Sequence, residues 1–216
     1  IGSSRDFGAH AAILVGDFLF SAATAAADEQ ALRLDEERAR AFARRFADMH
    51  AEVALGQYLD IAAEQTPLDP ERSDVLNVSD ALEVALHKSA HYSVVHPAIL
   101  GAICGASTLD DGEALARSLE EILTPWGLAF QLRDDDLGVF GDPAVTGKPA
   151  GDDLREGKRT VLLALTWEAS SPAERSALTE VLGVAEASPE RLSAATRIVE
   201  ANGRAPHEAE IARLVA

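Results

Sequence analysis

Phe130-Gln131-Leu132-Arg133-Asp134-Asp135-Asp136-Leu137-Gly138 sets three adjacent carboxylates inside an otherwise apolar run. On a helix, residues four apart share a face and immediate neighbours differ by about 100°. Asp134 and Gly138 then lie on one side, Asp135 flanks them, and Asp136 points away. Phe130, Leu132, Leu137, Val139 and Phe140 surround the acids with apolar groups. Unpartnered carboxylates are costly in such a setting. A metal ion is one way to hold them; local pairing with Arg133 and a plain solvated acidic face are the alternatives.

The downstream sequence adds cations. Lys148 stands in Thr146-Gly147-Lys148-Pro149, and Gly157-Lys158-Arg159-Thr160 follows. Glycines let backbone approach a phosphate and lysines neutralise it. Magnesium takes hard oxygen ligands, usually one or two protein carboxylates, with phosphate oxygens and water completing the octahedron. Asp134 and Asp135 beside Lys148 and Lys158 therefore point to a magnesium-bound diphosphate, although each lysine taken singly reads as a surface charge. The Gly-x-x-x-x-Gly-Lys-Ser/Thr spacing of a P-loop is absent.

Two upstream clusters carry further polar groups. Lys88-Ser89-Ala90-His91-Tyr92 gathers a lysine, a hydroxyl and a phenol on one helical segment. His87 and His91 are four apart and His96 follows, but no Glu-x-x-His or His-Glu-x-x-His pattern accompanies them, which argues against zinc. In Gly56-Gln57-Tyr58-Leu59-Asp60, Gln57 and Asp60 share a face that points into apolar surroundings. Buried polar groups need partners, so a site and a structural hydrogen bond are both open.

Composition fits one mostly helical domain. The chain has 216 residues, and 47% hydrophobic content is enough for a sizeable core. Aromatics are only 5% and alanine is abundant, which favours helices over strands. A net charge of -17 repels nucleic acid and anionic membranes. The lone Cys104 excludes an internal disulfide and reads as a buried, inert thiol. No apolar run reaches the ~18 residues of a membrane span, so a cytoplasmic protein is expected.

Residues 9–27 read as an apolar, buried helix, and residues 34–64 as a long amphipathic one. Ser79 resembles an N-cap, Leu109-Asp110-Asp111-Gly112 a turn, and Pro125 a point of kinking or division in the helix over 113–140. Thr160 opens an apolar helix, and Ser171-Pro172 and Ser188-Pro189 each pair an N-cap with proline at the first helical position.

Taken in order, these elements resemble the trans-isoprenyl diphosphate synthases of the polyprenyl synthetase family. Gly16-Asp17, Gly56-Gln57-Tyr58-Leu59-Asp60, the Lys88-Ser89 element, the Phe130-Gln131 prefix with its aspartates, and the lysine loop through Thr160 carry the resemblance. It implies an all-α bundle of mostly antiparallel helices around a deep central cavity, usually in a homodimer. It implies a Mg2+-dependent prenyltransferase that condenses isopentenyl diphosphate with an allylic diphosphate, giving a short-chain product of about C15–C25. By the same matching, Asp134 and Asp135 hold magnesium, and Lys88 and Lys148 contact the allylic diphosphate. Gln131 lies near the reacting carbons, and Ser89 and Tyr92 polarise the cation region. Gln57, Asp60, Phe130 and Lys158 complete the substrate site.

Two departures qualify the match. The second motif often carries aspartate at its fifth position, where this chain has Gly138. Asp136 points away and Asp142 stands about 12 Å from Asp134 along the axis, leaving two direct carboxylate ligands. The family's first aspartate-rich motif, expected upstream of Gly16-Asp17, is not found before Ala9. Either the sequence begins after it or the protein lacks it. The expectation is a single isoprenoid synthase domain over residues 1–216, without its N-terminal helices and that motif. A non-catalytic partner subunit and a class I terpene cyclase are the competing readings.

Overall fold

Side-chain caps set where the helices begin. In the computed structural model, which describes residues 4–147 and 149–216, Asp35 accepts from the Arg38 amide and opens a helix over Glu36–Glu64 (α2). It follows α1, Ser4–Ala31. Asn77 caps α3, Val78–Ala85, by accepting from the Ser79 amide at 2.8 Å. Ser79 is therefore inside the helix rather than its cap: Asn77 lies one position before the first helical residue and already satisfies an orphan N–H. The chain continues as a π-helix over Leu86–Val95, then α4 over His96–Gly105.

Thr108 caps α5, Leu109–Phe140, so Leu109-Asp110-Asp111-Gly112 is the first helical turn rather than a separate turn. Its acids, Asp110 and Asp111, suit the positive end of the helix. Pro125 lies inside α5 and does not divide it. The missing N–H costs one hydrogen bond to the preceding turn, which a helix of this length tolerates when packing holds it. Short helices α6 (Pro143–Thr146) and α7 (Asp152–Glu156) occupy the downstream loop. Then come α8 (Val161–Ala169), α9 (Pro172–Thr179), α10 (Pro189–Asn202) and α11 (Arg204–Leu214). Thr160, Ser171 and Ser188 cap α8, α9 and α10 as expected, Ser171 with Glu174 in a reciprocal capping box. No strand occurs among the described residues.

Two apolar cores hold these helices. One surrounds α8: Val161, Leu162, Leu163 and Trp167 are buried with Leu132 and Val139 of α5, Leu178 of α9 and Val199 of α10. Each such large side chain stabilises the fold by about 1.5–3 kcal/mol relative to exposure. Trp167 also donates its indole N–H to the Arg72 carbonyl at 2.9 Å, which ties the loop before α3 to this core. The other core joins Phe42 of α2, Val95, Ile99 and Ile103 around α4, and Ala116 of α5.

The first helix departs from expectation. Its apolar residues are exposed, Phe18 at 71% and Leu14 at 68%, and Gly16-Asp17 is exposed with them. A helix apolar all round needs neighbours on every side, and α2 is its main neighbour among the described residues. Residues 6–31 are also long and apolar enough, by length and composition, to cross a membrane. That corrects the expectation of no such run. Cys104 is half-buried rather than buried.

Candidate active site

The site is assembled along one stripe of α2. Glu52, Gly56 and Asp60 recur every four residues and so lie on one face. That face meets the π-helical segment. A Cβ at Gly56 would strike the backbone of His87 and Lys88, so glycine is what allows the two helices to approach so closely. The approach brings the Lys88 ammonium to the Asp60 carboxylate at 2.5 Å. Both groups are mostly buried, and with Ser89 they form one wall of a cavity of about 180 Å³.

The opposite wall comes from α5 and the loop after it. Asp134, Asp135 and Gln131 line the cavity. The Gln131 amide donates to Asp135 Oδ1 at 2.8 Å and so orients that carboxylate. Asp135 is buried, and its carboxyl is pushed up to about 7. Burial is the main cause; the Gln131 hydrogen bond opposes it, while the neighbouring charges of Asp153 and Asp134 add to it.

Asp136 faces the other way, as helix geometry predicts. It is buried between Arg133, 3.7 Å away, and Arg204 of α11, 3.6 Å away. Its place is in the packing of α5 against α11.

Gly138 has a role that sequence reasoning missed. A Cβ there would overlap the Asp153 carboxylate of α7. The side chain absent at 138 is thus replaced in space by one supplied from the downstream loop, and Asp153 lines the same cavity as Asp134 and Asp135. Nothing local marks it, because Asp152 and Asp153 read alike until the fold points one of them inward.

Lys158 lines the cavity too. Its ammonium sits 2.5 Å from Asp153 and 2.9 Å from Glu156. Burial alone would lower its pKa, but the hydrogen bonds it donates to Asp153 and Glu156 outweigh that and raise it. Arg159, quoted beside Lys158 but given no role from sequence, also reaches the cavity and donates to the Gly157 carbonyl at 2.8 Å.

Of the residues picked out from sequence, Asp60, Lys88, Ser89, Gln131, Asp134, Asp135 and Lys158 come together around this cavity. Gln57 is exposed and lies outside the cavity lining that Asp60 joins, the two standing about 60° apart around α2. Tyr92 and Phe130 are 48% and 62% exposed and lie outside the cavity lining. Lys148 lies outside the described residues.

The donor set fits magnesium. Three carboxylates, Asp134, Asp135 and Asp153, offer hard oxygens on one wall. A buried carboxyl whose ionisation is resisted by its neighbours is one that a divalent cation would stabilise as the anion. Lys88, Lys158 and Arg159 stand where a polyanion bridged to that cation would be neutralised.

Residues 3–199 match the polyprenyl synthetase family model. The chain is 33% identical over 193 residues to a geranylfarnesyl diphosphate synthase of Aeropyrum pernix, covering 89% of this chain and 56% of that protein. It is 35% identical over 176 residues to a geranylgeranyl diphosphate synthase of Mycobacterium tuberculosis, covering 80% and 45%. A geranylgeranyl pyrophosphate synthase from Corynebacterium glutamicum, solved with isoprenyl diphosphate and magnesium, superposes with a TM-score of 0.82. That structure is 38% identical and matches over 99% of this chain and 57% of its own. The chain spans about half the length of the curated relatives it matches.

Proposed function

Because this chain belongs to the polyprenyl synthetase family and has its all-α fold, we propose that it is a trans-prenyltransferase. It joins isopentenyl diphosphate head-to-tail to an allylic diphosphate and gives a product of about C15–C25. The relatives' names, farnesyl, geranylgeranyl and geranylfarnesyl diphosphate synthase, span that range. The observation that carries the reading is one cavity lined by Asp134, Asp135 and Asp153 together with Lys88 and Lys158.

The residues divide the work as follows. Asp134, Asp135 and Asp153 hold Mg2+, with Gln131 fixing the orientation of Asp135. The bound magnesium supplies charge stabilisation for the departing diphosphate. Lys88 exchanges its Asp60 partner for a phosphate oxygen and strengthens that contact as negative charge builds on the leaving group. Lys158, held by Asp153, adds positive charge, a role we also assign to Lys148 from its place in the sequence motif. Ser89, on the Lys88 wall, offers a hydroxyl dipole to the allylic cation. The second substrate's double bond attacks that cation, and loss of a proton completes the condensation. A cavity of about 180 Å³ suits the diphosphate end of a substrate; the prenyl tail extends beyond it. We take the exposed apolar surface of α1 to be covered by further protein, in a homodimer.

The test is incubation with Mg2+, labelled isopentenyl diphosphate and an allylic primer. Elongated prenyl diphosphate supports the proposal. Failure to turn over alone, with stimulation of an active synthase, would make the chain a partner subunit. Cyclic hydrocarbon from the primer alone would make it a cyclase.

A further inference from the structure

A second polar cluster lies on the same α2 stripe, two turns (about 12 Å) from Asp60 and outside the cavity. Glu52 Oε1 is 2.6 Å from Nδ1 of His87 and 2.6 Å from Nδ1 of His91. Its other oxygen, Oε2, is 2.5 Å from Nε2 of His96. The proposed diphosphate chemistry uses none of these four side chains.

The π-helical winding creates the cluster. On an α-helix, at about 100° per residue, His87 and His96 would lie on opposite faces, about 180° apart. A π-helix turns by only about 82° per residue, which brings His87, His91 and His96 within roughly 50° of one another. Such segments are frequent at functional sites. Here the rare geometry turns three imidazoles toward one carboxylate on the facing helix.

We propose that Glu52, His87 and His91 form a binding site for a divalent transition metal of the zinc class. One ligand atom from each lies within 4.8 Å of the others. Zinc ligands in a tetrahedral shell stand roughly 3.3 Å apart, so the three need to move by about 1 Å or less. Two imidazoles and a carboxylate leave a fourth position for water, the composition of an open zinc site.

The surroundings supply what metal-bound ligands need. The far ring nitrogen of His87, Nε2, faces Glu83 Oε2 at 3.3 Å. When Nδ1 binds metal, Nε2 carries the proton and donates it to Glu83, an arrangement that fixes ring orientation at metal sites. His96 donates to the non-ligating oxygen of Glu52 and holds the carboxylate in place. Metal binding takes Nδ1 of each ring as ligand with the ring proton on Nε2, and any second proton on an imidazole is released to solvent, with no redox change.

The consequence for the fold is a clamp. His87 adjoins Lys88, so a metal here fixes the π-helical segment against α2 beside the Lys88–Asp60 pair.

The test uses the whole chain, stripped with chelator and then saturated with Mg2+ so that the aspartate wall is filled. Zn2+ titrated against a chromophoric competitor is expected to bind at one site per chain. Co2+ in its place is expected to show the intense visible bands of a four-coordinate ion. His87→Ala/His91→Ala should lose that site, and Glu83→Gln should weaken it about 10-fold, while Asp135→Asn should keep it. Wild-type protein that shows only weak, six-coordinate Co2+ spectra overturns the proposal without need of any variant. Retention of the site in the folded double-histidine variant overturns it equally.

Discussion

Gly138 and Asp153 share one volume: a methyl group on the α5 residue would fall on the carboxylate of the α7 residue. The acidic wall is therefore built from two pieces of chain, and the short side of α5 is what admits the second piece.

Gly138→Ala is accordingly expected to displace Asp153 and strain the Lys158 pairing. Overpacking of this kind costs about 1–3 kcal/mol. The loss is read from urea denaturation, and a weakened Mg2+ response from the prenyl-transfer assay. Adding Asp153→Ala should recover part of the stability lost in Gly138→Ala, because the clash is removed. Strictly additive losses in that double-mutant cycle would refute the shared-volume account.

The three adjacent aspartates should separate by role. Asp135→Asn removes a carboxylate from the cavity and is expected to lower kcat/KM by about 10²–10³-fold. Asp136→Asn leaves the cavity untouched, removes the pairing with Arg133 of the same helix and loosens α5 from Arg204 of α11. It should cost about 1–3 kcal/mol of stability with the Mg2+ response retained. Equal kinetic losses in the two variants would mean that helix geometry does not sort these residues.

Lys88 and Asp60 form a pair that substrate must open. Lys88→Ala should reduce kcat/KM by about 10²-fold or more, and it leaves the mostly buried Asp60 without its cation. Asp60→Asn instead frees the ammonium and keeps a polar partner beside it. That variant should hold the KM for the allylic diphosphate at or below the wild-type value. A steady-state comparison of the two decides whether Asp60 is a placeholder for phosphate or a part of the chemistry.

Much of this arrangement was legible before any coordinates. Period and capping residues located the long helices, and the spacing of Asp134, Asp135 and Gly138 sorted the acids by face. What escaped was three-dimensional pairing. Asp153 fills the gap at Gly138 from a loop whose direction no local pattern encodes. Glu52 meets His87 from 35 positions away, and the π winding that adds His96 changes residue phase without a change of residue type. Asn77 outcompeted Ser79 as a cap because position relative to the first helical turn, not side-chain chemistry, decides between two good caps. The exposure of α1 followed from its neighbours, which hydrophobicity alone does not supply.

The last expectation concerns acid. His207 of α11 is fully buried, and neither ring nitrogen has a hydrogen-bond partner among the described residues. Burial lowers its pKa below the ordinary 6.5, and Asp136 and Glu208 only partly oppose this. The folded chain thus resists a proton that the unfolded chain accepts. Below about pH 6.5 the unfolded state binds more protons, so stability rises with pH and is lost as the medium is acidified through that value toward the folded pKa. His207→Leu removes the group, and its urea midpoint should fall less steeply than wild type between about pH 7 and pH 5. Parallel pH profiles for the two proteins would assign the acid sensitivity to other groups. Asp136 gives the prediction a second handle. Its negative charge is one of those that favour protonated His207, so Asp136→Asn should deepen the wild-type acid sensitivity rather than relieve it.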